Sequence, residues 1–100
     1  HCGLVFEGFL RARETGVHTF HLRSDDGSRL HLDGDLIIDN DGLHGSIERT
    51  HQVPLKAGWH PIRVEWFNAT GGLDLSLEIE GPGIPRRPLR SADLAGGESE

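Results

Sequence analysis

Cysteine is nearly missing. Cys2 is the single one among 100 residues, so no disulfide can close within the chain, and a bridge would need a Cys outside it. Methionine and tyrosine are absent altogether. No apolar run approaches the roughly 20 residues a membrane helix needs, and no signal peptide is visible. The chain opens on His1, not Met, and reads as a piece excised from something longer. A basic excess is lacking too. Ten Lys and Arg against 16 Asp and Glu leave a net charge of −6. That argues against nucleic acid as a partner, because no basic patch is there to release counterions. The cluster Arg86, Arg87, Arg90 stands in a Pro-rich stretch and reads as a solvated linker.

Catalytic signatures are missing as well. There is no Gly-x-Ser-x-Gly and no His-Glu-x-x-His. Carboxylates are plentiful, but sequence alone cannot set the separation a glycosidase needs. The expectation is a domain that is not an enzyme.

What is present is alternation. Phe6, Gly8, Leu10 and Ala12 alternate with Glu7, Phe9 and Arg11. The same period of two runs through His18–Leu22, Leu30–Leu32, Ile62–Trp66 and Leu73–Ile79. Period two argues half-buried strands with one face inward. The breaks are turn chemistry: Asp26-Gly27, Asp33-Gly34, Asp41-Gly42, Ala57-Gly58 and Gly71-Gly72. Asp-Gly tolerates the positive φ of tight hairpins, so Leu30 to Ile38 reads as one hairpin. The expected fold class is all-β, an antiparallel β-sandwich of jelly-roll-like type with short Gly-rich turns. Residues 1–83 form its single domain. Gly81-Pro82-Gly83-Ile84-Pro85 ends the pattern, and residues 84–100 read as a linker or flexible tail. Leu43 to Thr50 is left as either a loop or a short strand.

Seven His are scattered. His18 and His21 fall on opposite faces of one strand and cannot share a metal without distortion. The stretch Ser24 to Gly42 is different, since it crowds Asp25, Asp26, Asp33, Asp35, Asp39 and Asp41 among Leu and Ile. Ca²⁺ takes several oxygen ligands. The EF-hand pattern fails, because Ile37 stands where an acidic or amide ligand is needed. Asp25 and Asp26 could share an ion only if the backbone between them turns sharply. The alternative is a turn held by Asx hydrogen bonds. Trp66 shares the inward parity of Ile62 and Val64 and reads as core. Trp59 either covers the end of the core or is exposed, and no binding role is assigned to it.

In order along the chain come Gly16-Val-His-Thr-Phe20, Leu22-Arg-Ser-Asp-Asp-Gly-Ser-Arg-Leu30, Leu32-Asp-Gly34, and Ile38-Asp-Asn-Asp-Gly42 with His44. Val53-Pro-Leu-Lys-Ala-Gly58, His60-Pro-Ile-Arg-Val-Glu-Trp-Phe-Asn68 and Leu75-Ser-Leu77 follow, leading to Gly81-Pro82-Gly83. From Phe6 to Gly83 this resembles the protective-antigen-type, or PA-fourteen, domain family. The resemblance implies a β-sandwich of secreted and surface proteins, in many cases a carbohydrate-binding module beside other domains of a parent protein. It implies an extracellular, cell-surface or periplasmic location and no membrane insertion. It further implies a Ca²⁺ site at Asp25, Asp26 and Asn68, with sugar contacts from those residues and from Thr70 and Gly71. The function so implied is Ca²⁺-assisted recognition of sugar hydroxyls. The alternative is a structural or protein-interaction domain without metal or sugar. Asn68-Ala69-Thr70 is also an N-glycosylation acceptor sequence.

Overall fold

The computed structural model describes residues 2–24, 27–40, 47–68 and 75–99. The alternating runs become strands β1 (Cys2–Ala12), β2 (Gly16–Ser24), β3 (Gly27–Leu32), β4 (Asp35–Asn40), β5 (Ile47–Leu55), β6 (Gly58–Asn68) and β7 (Leu75–Gly81). Two more follow, β8 (Ile84–Pro88) and β9 (Leu94–Ser99), joined by a short 3-10 turn, Ser91–Asp93. They form a five-stranded sheet, β4-β3-β6-β1-β9, and a four-stranded sheet, β5-β2-β7-β8. Every recorded pairing is antiparallel.

The inward parity read from the sequence is the one observed. Leu10, Phe20, Leu22 and Leu30 are fully buried between the sheets, with Ile62, Trp66 and Ile79 almost so. Fully burying one such side chain contributes about 1.5–3 kcal/mol, so this layer supplies most of the drive to pair the two sheets. The β3–β4 hairpin turns on Asp33 and Gly34, both at positive φ (54° and 86°). That is the backbone a two-residue hairpin requires, and the Asp-Gly pair is suited to it.

The end of the chain differs from the expected tail. Pro and Gly between residues 81 and 85 do interrupt β7, but only to turn it into β8 along the sheet edge. An edge strand tolerates Pro because one side of its ladder needs no N–H. β9 then crosses to the other sheet and pairs with β1. The basic cluster, expected to be solvated, anchors this passage. Arg87 donates to both carboxylate oxygens of Asp93 at 2.7 and 3.1 Å, and Asp93 is buried. The Arg90 N–H donates to the same carboxylate at 2.8 Å, and Arg13 lies 3.6 Å away. Hydrogen bonds from Arg87 hold the Asp93 carboxyl below its usual range against the opposing effect of burial. Arg86 meets Glu78 at 2.6 Å and also pairs with Glu48. Residues 47–50, the second half of the unplaced stretch, belong to β5.

Candidate functional site

Three connections gather at one end of the sandwich. β2 ends at Ser24 in the four-stranded sheet, and β3 begins at Gly27 in the five-stranded one. Ser24 is the register partner of both Ile47, where β5 starts, and Leu75, where β7 starts. Gly27 is the partner of Phe67, one residue before β6 ends. Asn40, where β4 ends, pairs with Ser28. The segments 25–26, 41–46 and 69–74 therefore all spring from this end.

At this end sits a small buried polar layer. Ser24 Oγ and Ser28 Oγ share a hydrogen bond at 2.6 Å, and Asn40 Nδ2 donates to Ser24 Oγ at 3.4 Å. None of the three is more than 1% exposed. Burying a hydroxyl without a partner costs about 1–3 kcal/mol, and the Ser24–Ser28 hydrogen bond removes that cost for the two hydroxyls. The result ties β2 to β3 and β4, across the two sheets, at the end where the three connections start. Sequence reading missed this layer. The signal was there in Ser24 and Ser28, two hydroxyls bracketing Asp25-Asp26-Gly27, and in the inward parity of Asn40.

Of the expected ligands, Asp25, Asp26, Thr70 and Gly71 lie outside the described residues. Asn68 is the last residue of β6, with its backbone in register with Cys2. The structure thus brings the flanks of the expected ligands to one end of the fold. Two carboxylates, an amide and backbone carbonyls are an all-oxygen donor set, and that chemistry fits Ca²⁺. Among the described residues, no group of three or more His, Cys, Asp or Glu is placed to hold a metal.

Three of the described histidines, His18, His21 and His60, are bonded within the fold. His18 is fully buried and its Nδ1 donates to the Gly16 carbonyl at 2.9 Å. His21 points to the other face but is also buried, donating from Nε2 to Glu80 at 2.7 Å beside Thr50. His60 faces the Asp33 carboxylate at 3.0 Å and the Lys56 carbonyl at 2.7 Å. Burial alone would lower its pKa. The two acceptors outweigh it, because both ring nitrogens must then carry protons, and the pKa is raised.

Comparison with known proteins agrees with this architecture. The sequence profile of the PA14 domain matches residues 1–91. An alpha-agarase from Alteromonas agarilytica is 38% identical over 68 residues, which are 68% of this chain and 5% of the agarase. Among solved structures, an anti-sigma factor domain-containing protein from Clostridium clariflavum is 29% identical with a TM-score of 0.84. The match covers 91% of this chain and 31% of that one. A PA14 sugar-binding domain from an RTX adhesin superposes with a TM-score of 0.79 at 24% identity, covering 91% and 52%. The chain thus spans only a small part of the curated relative and about a third to a half of these structures.

Proposed function

The chain belongs to the PA14 domain family, and from that premise we propose that it is a non-catalytic carbohydrate-binding module of a larger exported protein. The observation that carries the reading is that the strand ends from which three connections start gather beside the buried Ser24–Ser28–Asn40 layer. A binding loop works when a rigid base positions it, and the cross-sheet hydrogen bonds supply that base. The sugar-binding relative and the agarase point to the same ligand class.

In this reading Asp25 and Asp26 hold a Ca²⁺ ion with their carboxylates, and Asn68 adds its side-chain amide oxygen. Thr70 and Gly71 meet the sugar at the rim. Bound Ca²⁺ supplies coordination positions that vicinal hydroxyls can fill in place of water. Two carboxylates balance the ion's charge, so a neutral sugar is the fitting partner. Affinity per site is modest, and multivalency on the parent protein raises it.

Thermal melts with Ca²⁺ and with chelator test the ion. A ligand that binds only the folded state adds about 1.4 kcal/mol at ten times its Kd. For a domain of this size that raises the midpoint on the order of 5–10 °C. Asp26→Ala should melt like the chelated protein and ignore added Ca²⁺. An equal Ca²⁺ response in Asp26→Ala would remove the ion from this site. No response in either protein at millimolar Ca²⁺ would make the chain a structural or interaction module, unless agarohexaose binds it by calorimetry.

A further inference from the structure

A second concave feature stands apart from the end where the three connections start. The outward face of the five-stranded sheet carries a cleft of about 530 Å³. That volume is within the range of ligand clefts, roughly 300–1,000 Å³. Glu7, Phe9, His31, Pro61, Arg63 and Gly96 are among its lining residues. Strand register explains the gathering. Phe9 is the partner of Pro61, and His31, Arg63 and Glu7 lie in one row across β3, β6 and β1.

Two irregularities flank the cleft. Between Glu7 and Phe9, β9 uses one residue more than β1, and Gly96 there adopts φ 64°. On the far side, β4 has one residue more than β3 between the Leu30 and His31 pairings. Bulges bend and twist a strand, and they recur beside functional sites. Here they stand at the two margins of the sheet, with Gly34 and Gly96 opening its walls.

The floor is ionic and internally neutralised. Arg63 Nη1 lies 2.9 Å from Glu7, and Arg63 Nη2 donates to Glu65 at 3.2 Å. His31 Nε2 donates to the other Glu65 oxygen at 3.1 Å. Burial pushes the Glu65 carboxyl up, but the hydrogen bonds from His31 and Arg63 outweigh it and hold it below its usual value. Beside this floor stand exposed rings. Phe9 is 47% exposed, and Trp59, two residues before Pro61 on the same face of β6, is 51% exposed.

This combination selects among ligands. An anion would gain Arg63 but confront Glu7 and Glu65. A purely apolar ligand would desolvate the ion pairs with no return. A pyranose ring has an apolar C–H face and an edge of hydroxyls, and each hydroxyl both donates and accepts. It can lie on Phe9 and Pro61 while its edge meets Arg63, Glu7 and His31 without separating them. We infer that this cleft is a second, cation-independent contact site for a neutral oligosaccharide, with Phe9 and Pro61 as stacking surface and Arg63, Glu7 and His31 as hydroxyl partners. The inference rests on the reading of the chain as carbohydrate-binding, and it places part of that binding away from Asp25, Asp26 and Asn68.

The test is an amide-resolved NMR titration of the full chain with agarohexaose and, separately, cellohexaose, each in chelator and in Ca²⁺. The expected result is saturable shifts at Gly8, Phe9, Arg63 and Gly96 that persist in chelator with one of the two sugars. Phe9→Ala should weaken that binding about tenfold, which corresponds to about 1.4 kcal/mol. Arg63→Gln should weaken it as well, and the amide spectrum of each variant reports whether the fold is kept. Shifts confined to residues flanking the loops, such as Gly27 and Leu75, and dependent on Ca²⁺ would overturn the cleft while sparing the primary reading. Cleft shifts without any Ca²⁺-dependent ones would sustain the cleft and the carbohydrate-binding reading and remove the ion from Asp25, Asp26 and Asn68. If neither sugar moves the cleft amides, the second site does not exist.

Discussion

The outer faces of the two sheets are both covered by acid–base lattices, yet they are built for different ends. On the four-stranded sheet, β2 pairs with β5 and β7 in unbroken register. His21 is buried there between Thr50 and Glu80, and Arg86 bridges Glu48 and Glu78. On the five-stranded sheet the lattice of Glu7, Arg63, Glu65 and His31 is similar in kind. What differs is that the five-stranded sheet has a bulge at both margins, where the four-stranded one has a single irregularity between β7 and β8, and that it carries the exposed rings of Phe9, Trp59 and Phe67. Ion pairs finish a surface. Breaks in register and rings left in water give a surface room and a reason to hold something.

The largest expected effect lies where the turn between β8 and β9 is tied back to β8. Asp93→Ala should lose about 2–4 kcal/mol in urea unfolding, because it leaves Arg87 and the Arg90 N–H without their carboxylate. It should also blur the cleft wall at Gly96. The Asp93 pKa is lowered in the fold, so its contribution is present above its ordinary value of about 3.9 and is lost as pH falls through the lowered value. The gap between wild type and Asp93→Ala should therefore close in strong acid. A loss within error at pH 7 would mean that β9 is held by its ladder alone.

Glu65→Gln comes next, at about 1 kcal/mol, since it removes the shared acceptor of His31 and Arg63. Its sign matches that of Asp93, with stability present above about pH 4.3 and lost toward acid. A pH-independent difference would detach the lattice from the Glu65 charge.

His60 runs the other way. Its pKa is raised, so its contribution is full below about pH 6.5 and fades as pH rises through the higher value. His60→Gln should cost a few tenths of a kcal/mol at pH 5.5 and less at pH 8.5. Chemical denaturation at the two pH values checks the slope.

The smallest stability effects are the sharpest for the comparison. Arg63→Gln and Arg86→Gln sit in matching exposed lattices, and neither should move the melting midpoint appreciably. Only Arg63→Gln should affect oligosaccharide binding. Equal loss of binding in both would mean that the two faces do not differ in function.

Much of the fold was legible because the strands are amphipathic at period two. Trp66 could be assigned to the core by parity with Ile62 and Val64, and it is buried. Asp33-Gly34 could be assigned to a hairpin, and its backbone takes the required positive φ. Residues 84–99 were not legible. Ile-Pro-Arg-Arg-Pro and Leu-Ala-Gly-Gly-Glu-Ser have the composition of a linker, and what makes them strands is pairing with β7 and β1, far away in sequence. The same holds for the sites. Asp25-Asp26 is visible as a motif, whereas the Asn40 side chain meeting Ser24 required β4 and β2 to be brought together from different sheets.

By itself, the sequence determined which apolar residues face inward, where the Asp33-Gly34 turn falls, and which family the chain resembles; the turns expected at Asp26-Gly27, Asp41-Gly42 and Gly71-Gly72 lie outside the described residues. These are local properties, written in periodicity, turn chemistry and motif order. Only the tertiary structure decided that the apparent tail completes both sheets, that three connections start beside one buried polar layer, and that Phe9 and Arg63 border one cleft. Each of these depends on register between distant strands, and register is set by how two apolar faces pack together, which no single stretch of sequence contains.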